Sequence, residues 1–373
     1  MFSRNSTRRI RLGDVEIGGG APVSIQTMCN TDTRDIAATT AQISRCIDLG
    51  CDIVRLAVPD AQAAQALRAI RGNLPGVPLV ADIHFDWRLA IDAIGAGIDG
   101  LRVNPGNIGG PERLRAVVKA AAERSVPIRV GVNGGSLDAD LLRKFGAATP
   151  EALVESALRS VRLLEDFGCE ALKISVKASD VARTVAAYRL LSSRTRWPLH
   201  LGLTEAGTFL AGTVRSCVAL GTLLQEGIGD TVRVSLTDTP EQEVRVGIEL
   251  LRACSLRAPG ASVTSCPTCG RTRVDVAAVA REVEAALDAH YRANPGAPRP
   301  RVAVMGCVVN GPGEARGADI AVAGGDGKFA LYLGGEFVRT IPQAAAASEI
   351  VALAKSFRPA AARENSPCAS PGI

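Results

Sequence analysis

Three cysteines are spaced so that one metal centre can take them all. Cys266-Pro-Thr-Cys269 sets two thiols in a single turn stiffened by Pro267, and Cys307 arrives from a distant segment, inside Met305-Gly-Cys-Val-Val-Asn-Gly-Pro-Gly-Glu314. No second Cys-x-x-Cys exists, so a Cys₄ ribbon is ruled out. The fourth position falls to a group other than thiolate, and Glu314, in the same glycine-rich loop, is the nearest candidate. Thiolates select iron–sulfur clusters, Zn or Cu(I). A cluster with one weak oxygen ligand offers an iron that substrate can approach. The competing arrangement is a structural Zn site of Cys₃His type completed by His290. A thioredoxin-like pair does not suit this context, because no strand–CxxC–helix pattern surrounds it.

A second set of chemical residues recurs on short β-branched runs. These read Val54-Arg55-Leu56, Asp82-Ile83-His84, Arg102-Val103-Asn104, Arg129-Val130-Gly131-Val132-Asn133, Lys173-Ile174-Ser175, Thr204-Glu205 and Arg233-Val234-Ser235. Successive strand residues face opposite sides. If Val54, Ile83, Val103, Val130, Ile174 and Val234 face covering helices, the charged set points the other way, into a shared interior. Four arginines and one lysine then meet only two acids, Asp82 and Glu205. Buried charges cost several kcal/mol each unless paired, so an anion is missing from the set. Phosphate supplies it, because guanidinium forks match phosphate oxygens in pairs. Gly106-Asn-Ile-Gly-Gly110 can add backbone N–H donors, or serve as an ordinary turn. Lys177, two residues past Ser175 on the same face, is either a rim charge or a site residue, and His200 sits earlier on its strand.

The elements that must position these groups alternate regularly. Strands are predicted at 23–28, 52–58, 78–83, 100–105, 127–132, 172–177, 198–204 and 231–236. Helices are predicted at 36–49, 61–70, 87–95, 111–124, 151–167, 180–191, 209–223 and 241–251, with an excursion over 133–150. Eight βα units close a (β/α)₈ TIM barrel, whose active sites lie at the strand C-terminal ends. The fold class is thus α/β, an N-terminal barrel followed by a small α+β module. Residues 1–253 form the barrel, 254–265 read as a linker, 264–358 form the cluster-bearing domain, and 359–373 read as a disordered tail. In the second domain, helices are predicted at 274–291 and 343–357, and strands at 302–305, 318–323, 328–333 and 337–340.

Composition agrees. Hydrophobic residues make up 47% and aromatics only 3%, which demands an aliphatic core suited to parallel strands under helices. A net charge of +5 does not by itself imply nucleic acid, and no apolar run is long enough for a membrane span. The basic N-terminus lacks an apolar h-region, so the expectation is a soluble cytoplasmic protein with reduced thiols. Cys29, Cys46, Cys51, Cys169, Cys217 and Cys254 read as small buried hydrophobes.

The chain resembles the 4-hydroxy-3-methylbut-2-enyl diphosphate synthase family of non-mevalonate isoprenoid biosynthesis. The resemblance rests on Gln26-Thr-Met-Cys-Asn-Thr-Asp-Thr33, Val54-Arg-Leu-Ala-Val-Pro59, Val80-Ala-Asp-Ile-His-Phe85, Leu101-Arg-Val-Asn-Pro-Gly106 and Lys173-Ile-Ser-Val-Lys-Ala-Ser179. It continues through Leu201-Gly-Leu-Thr-Glu-Ala-Gly207, Ser265-Cys-Pro-Thr-Cys-Gly-Arg271 and Val304-Met-Gly-Cys-Val-Val-Asn-Gly-Pro-Gly-Glu314. Cys29 stands where the family pattern has threonine. The resemblance implies a [4Fe–4S] cluster on Cys266, Cys269, Cys307 and Glu314. It implies a substrate, 2-C-methyl-D-erythritol 2,4-cyclodiphosphate, held by Arg55, Arg102, Asn104, Arg129, Asn133, Lys173, Ser175, Arg233 and Ser235. Asp82, His84 and Glu205 would lie near the reacting carbons. It further implies flavodoxin or ferredoxin as one-electron donor, and a homodimer. The competing reading is a phosphate-binding barrel with a structural Zn module, acting as a non-redox lyase or binding protein.

Overall fold

The structure, a computed structural model, describes residues 4, 6–137, 139–257, 261–307, 309, 313 and 316–358. It divides into two compact units, Met1–Arg257 and Ala258–Ile373. Glu314 and the expected tail 359–373 lie outside the described residues.

The first unit opens with a hairpin, β1 (Ile10–Leu12) and β2 (Val15–Ile17), paired antiparallel. Eight parallel strands follow: β3 (Ser24–Met28), β4 (Ile53–Ala57), β5 (Leu79–Asp82), β6 (Gly100–Val103), β7 (Ile128–Asn133), β8 (Leu172–Lys177), β9 (His200–Leu201) and β10 (Thr231–Val232). Their order is β8-β7-β6-β5-β4-β3-β10-β9, and a parallel bridge between Ile174 and Leu199 joins the two ends. The barrel is therefore closed.

Helices α1 (Ile36–Asp48), α2 (Ala61–Asn73), α3 (Trp87–Gly95), α4 (Pro111–Glu123), α5 (Ala139–Phe145), α6 (Pro150–Asp166), α7 (Val181–Ser192), α8 (Phe209–Gln225) and α9 (Pro240–Ala253) complete the unit. Short polar side chains start several of them. Asp35, Asp60, Thr149 and Asp180 each accept a hydrogen bond from a backbone N–H in the first helical turn. Pro111, Pro150 and Pro240 fill first-turn positions where a missing N–H costs nothing. The outward strand residues Val54, Ile83, Val103, Val130, Ile174 and Val234 are all buried in one aliphatic core with the helices.

Four local features depart from the sequence expectation. The hairpin β1–β2 precedes the first expected strand. Strands seven and eight hold ladder geometry for only two residues each, although the bond from Arg233 N to Leu201 O extends the contact. An added Cβ on Gly202 would fall 2.8 Å from Arg233 O, so the two chains approach too closely there for regular side-chain-bearing strands. The 133–150 excursion contains α5, and part of the supposed linker forms a strand.

That strand, β11 (Ser262–Ser265), edges the second unit's sheet. It pairs in parallel with β12 (Arg301–Met305), which pairs in parallel with β13 (Ile320–Gly325). β14 (Lys328–Leu333) and β15 (Glu336–Pro342) then add antiparallel. Two helices, α10 (Val276–Ala293) and α11 (Gln343–Ser356), bury Val283, Leu287, Tyr291 and Ile350 with Val304, Val322 and Phe329 of the sheet. No helix among the described residues is long and apolar enough to cross a membrane.

Candidate active site

The inward strand positions form a charged lumen. Asp82, the last residue of β5, is at its centre. Arg102 Nη1 donates to Asp82 Oδ1 at 3.1 Å, and Arg55 Nε lies 3.6 Å from Asp82 Oδ2. His84 Nε2 lies 3.7 Å from the same oxygen and 3.1 Å from Arg102 Nη1. Burial alone would raise the Asp82 carboxyl, but the Arg55 charge, the His84 hydrogen bond and the Arg102 charge overcome it and hold Asp82 well below the usual range. Asp82 is a permanent anion that organises two cations and a histidine.

On the next strands, Arg129 Nη1 donates to Ser175 Oγ at 2.6 Å. A Cβ on Gly131 would fall 2.9 Å from Arg102 Nε and 3.3 Å from Arg129 Nη1, so glycine makes room for both guanidinium groups. Arg233 Nη1 donates to Ser235 Oγ at 2.8 Å and Nη2 donates to Glu243 Oε1 at 3.0 Å. Lys177, the last residue of β8, is buried beside Gly202, whose added Cβ would sit 2.6 Å from Lys177 Nζ. Burial first, and then the charges of Arg129 and Arg233, push the Lys177 ammonium well below its ordinary value. Arg129 is pushed down for the same reasons, with Arg55 the leading neighbour. Arg102 Nε, Arg129 Nε and Nη2, and Arg233 Nε are buried without hydrogen-bond partners among the described residues. The lumen thus holds donors and positive charge in excess of its own acids.

Most residues expected from the sequence come together here. Asn104 caps the turn over Pro105–Asn107 by accepting from Gly106 N at 3.2 Å, and Asn133 ends β7. His84 and Glu205 are exposed at the same C-terminal side, Glu205 with a left-handed φ of 54°. Lys173 is not part of the group. It is the second residue of β8, four positions before Lys177, which puts it about 13 Å further down the strand. There it lines a cavity with Gln26 and with Leu12 of the N-terminal hairpin.

One contributor has no signal in the strand pattern. Glu243 lies on α9, yet its buried carboxylate reaches the lumen, accepting from Arg233, from Thr27 Oγ1 at 2.9 Å and from Leu236 N at 3.0 Å. It reads in sequence as an acid of a first helical turn, and only its contacts with Arg233 and Leu236, past the end of β10, reveal it. Lys177, which its spacing fits to either rim or site, stands buried at the strand end on the face shared with Ser175.

In the second unit, parallel pairing of β11 and β12 aligns their C-terminal ends. Cys266 follows β11 directly and Cys307 lies just past β12, so both reach the same sheet edge. Gly306 N donates to Cys266 Sγ at 3.2 Å. Cys269 N donates to Thr272 Oγ1 at 3.1 Å, and Thr268 takes a left-handed φ of 61° in the turn between the two cysteines. Hydrogen bonds from Arg271 lower the exposed Cys269 thiol below its ordinary value. By contrast, burial pushes Cys29 and Cys46 up to about 12, as suits inert core thiols. Among the described residues no three His, Cys, Asp or Glu side chains converge on one ion.

His290 cannot complete a Zn site with them. A Cβ on Gly306 would meet Thr272 and Val276, which places Cys307 by the first turn of α10. His290 lies near the helix's other end, about 20 Å away by helix rise, and its Nδ1 faces Asn294 Nδ2 at 3.3 Å.

Comparison with known proteins places both units. The family model described as the GcpE TIM-barrel domain matches residues 7–248, and that of the GcpE protein C-terminal domain matches residues 262–356. The 4-hydroxy-3-methylbut-2-en-1-yl diphosphate synthase (flavodoxin) of Geobacter sulfurreducens is 56% identical over 93% of this chain and 96% of its own. The protein of the same name from Maridesulfovibrio salexigens is 54% identical over 91% of this chain and 93% of its own. Among solved structures, type I 3-dehydroquinate dehydratase from Clostridium difficile aligns with a TM-score of 0.50 at 14% identity, covering 67% of this chain and 99% of that one. That likeness concerns the barrel fold alone.

Proposed function

This chain belongs to the GcpE family, and on that premise we propose that it carries out the reaction for which its 4-hydroxy-3-methylbut-2-en-1-yl diphosphate synthase (flavodoxin) relatives are named. The substrate is 2-C-methyl-D-erythritol 2,4-cyclodiphosphate and the product 4-hydroxy-3-methylbut-2-enyl diphosphate. Two electrons and two protons enter, the bond from the tertiary carbon to a diphosphate oxygen breaks, and one hydroxyl leaves as water. Flavodoxin delivers the electrons singly. The observation that carries this reading is the barrel lumen, where buried guanidinium and ammonium groups outnumber the acids that face them.

Each residue then has a task. Arg102, Arg129 and Arg233 hold the diphosphate and stabilise the oxygen freed on ring opening, as charges already in place, and Lys177 joins them as an ammonium once the diphosphate is bound. Arg55 supports them beside Asp82, and Asn104, Asn133, Ser175 and Ser235 complete the polar lining. Asp82 fixes the orientation of Arg102 and His84. His84 and Glu205, exposed near the mouth, are the groups able to move a proton to the departing hydroxyl. Lys173 is left out of this set, because its depth keeps it from the mouth.

Cys266, Cys269 and Cys307 hold a [4Fe–4S] cluster, with Glu314 as its replaceable fourth ligand. When bound, the cluster supplies the single-electron transfers that this chain's side chains cannot. The N–H of Gly306 at Cys266 Sγ and the lowered Cys269 thiol support the assignment. Residues 1–253 bind substrate and residues 264–358 carry the cluster. Leu210, Val214 and Val218, spaced one turn apart and exposed along α8, give a second copy an apolar face in a homodimer. Nine described cysteines are free thiols, which suits the cytoplasm.

Protein purified without air tests the proposal. It should be brown, contain iron, and consume the cyclic diphosphate with reduced flavodoxin. Cys307→Ser should lose iron and turnover together. Active protein carrying stoichiometric Zn and no iron would overturn the reading.

A further inference from the structure

Every residue assigned to the substrate above is polar or charged, yet the substrate has a branched carbon skeleton bearing a methyl group. The reaction breaks a bond at that branched carbon, so an apolar contact is expected beside the groups that move the proton. One side chain at the mouth can supply it. Phe85 follows His84 in the loop from β5 to α3 and is 73% exposed. Among the described residues of the first unit, the other exposed large apolar side chains, Leu142, Phe209, Leu210, Val214 and Val218, all lie on α5 or α8. Phe85 alone of this set lies between a barrel strand and its helix. Met28, at the end of β3, is turned to Arg55, whose Nε and Nη2 approach its sulfur at 3.1 and 2.8 Å.

The place of the ring is set from both sides. Before it, Ile83 is fully buried and its N–H donates to Arg102 O at 3.0 Å. After it, Asp86 caps α3 by accepting from Arg88 N at 3.0 Å, and it accepts from the Arg88 guanidinium at 2.7 Å as well. The backbone that carries Phe85 is thus tied down on each side, and its exposure follows from the direction of the loop. Its ring centroid lies 5.9 Å from that of His84, with the planes inclined at 44°. His84 in turn lies 3.1 Å from Arg102 Nη1 and 3.7 Å from Asp82 Oδ2. The phenyl ring therefore stands one ring beyond the charged lumen. Left in water, it forfeits the gain of burying an aromatic side chain. With the cyclic diphosphate proposed above as substrate, and resting on that reading, we infer that Phe85 is a substrate-contacting residue. Its ring packs on the carbon skeleton of the bound molecule and keeps water from the face next to His84. The charged lumen recognises the diphosphate, and Phe85 recognises the methyl-bearing carbons.

Calorimetry on the whole protein with two probes, the cyclic diphosphate and inorganic pyrophosphate, tests this. Phe85→Ala should bind the cyclic diphosphate about tenfold more weakly or worse, as loss of an aromatic contact implies. It should bind pyrophosphate as the native chain does. Phe85→Leu, which keeps an apolar side chain, should recover most of the loss. Because the ring is exposed, neither change touches the core, and circular dichroism should be unaltered. Equal weakening of both probes would mean that the ring acts on the diphosphate clamp or on its own loop, and overturns the proposal. Unchanged affinity for both also overturns it, and leaves the ring as a contact for another protein surface. A native chain that binds pyrophosphate but not the cyclic diphosphate overturns the substrate reading itself, and this inference with it.

Discussion

Arg102 and Arg233 illustrate how a charged lumen is held together by its own residues. Each guanidinium is tied to one buried acid, Asp82 or Glu243, and still keeps an unpartnered Nε. Arg102→Ala or Arg233→Ala should therefore leave the fold intact by circular dichroism. Each should weaken diphosphate binding by about 1.5–3 kcal/mol, roughly tenfold to more than a hundredfold, as read by calorimetry. Lys177 gives a pH-dependent counterpart. Its folded value lies well below its unfolded one, so the free barrel favours the neutral amine, and stability falls as pH drops from the unfolded value towards the folded one, below which the loss is complete. A bound diphosphate restores the ammonium. Binding should then take up a proton, and affinity should fall as pH rises above the free-state value. Calorimetry in buffers of different ionisation enthalpy measures the uptake, and Lys177→Met should abolish it.

At the scale of elements, Gly306 is the most informative junction. It links β12 to Cys307 and touches Thr272 and Val276, which leaves no space for a methyl group. Gly306→Ala should displace Cys307 from its sheet edge and lower the iron content, while the first unit binds diphosphate as before. Iron and binding measured on one preparation separate the two effects. The alternation of Arg55, Asp82, Arg102, Arg129 and Arg233 with apolar neighbours was readable in the sequence, because period-two patterning directly encodes which way a strand residue points. Depth was not readable in the same way. Lys173 and Lys177 share one face of β8, and only the hairpin plugging one end of the lumen shows how far Lys173 lies from substrate. Glu243 was hidden because a helical acid reaches the lumen only where β10 gives way to loop. The hairpin itself had a signal, Gly13-Asp14 between two short alternating runs, with Gly13 at a φ of 56°. The edge strand β11 had little, being short and mostly exposed.

At the scale of the whole molecule, the two units have separate hydrophobic cores. Met1–Arg257 expressed alone should fold cooperatively and bind the diphosphate, yet hold no iron and turn nothing over. Loss of folding in that fragment would show that the barrel depends on the second unit. Barrel closure also has a consequence in time. β3 is made early but lies between β4 and β10, and Arg4 and Thr7 meet Asp230 across most of the unit. Until residues 231–232 leave the ribosome, β3 presents an unpaired parallel edge, and the segment below it has nothing to grip. Nascent chains stalled before residue 230 should be cut rapidly near the N-terminus by added protease. Chains stalled well beyond α9 should resist it, because the first barrel strand to be synthesised is among the last to be covered.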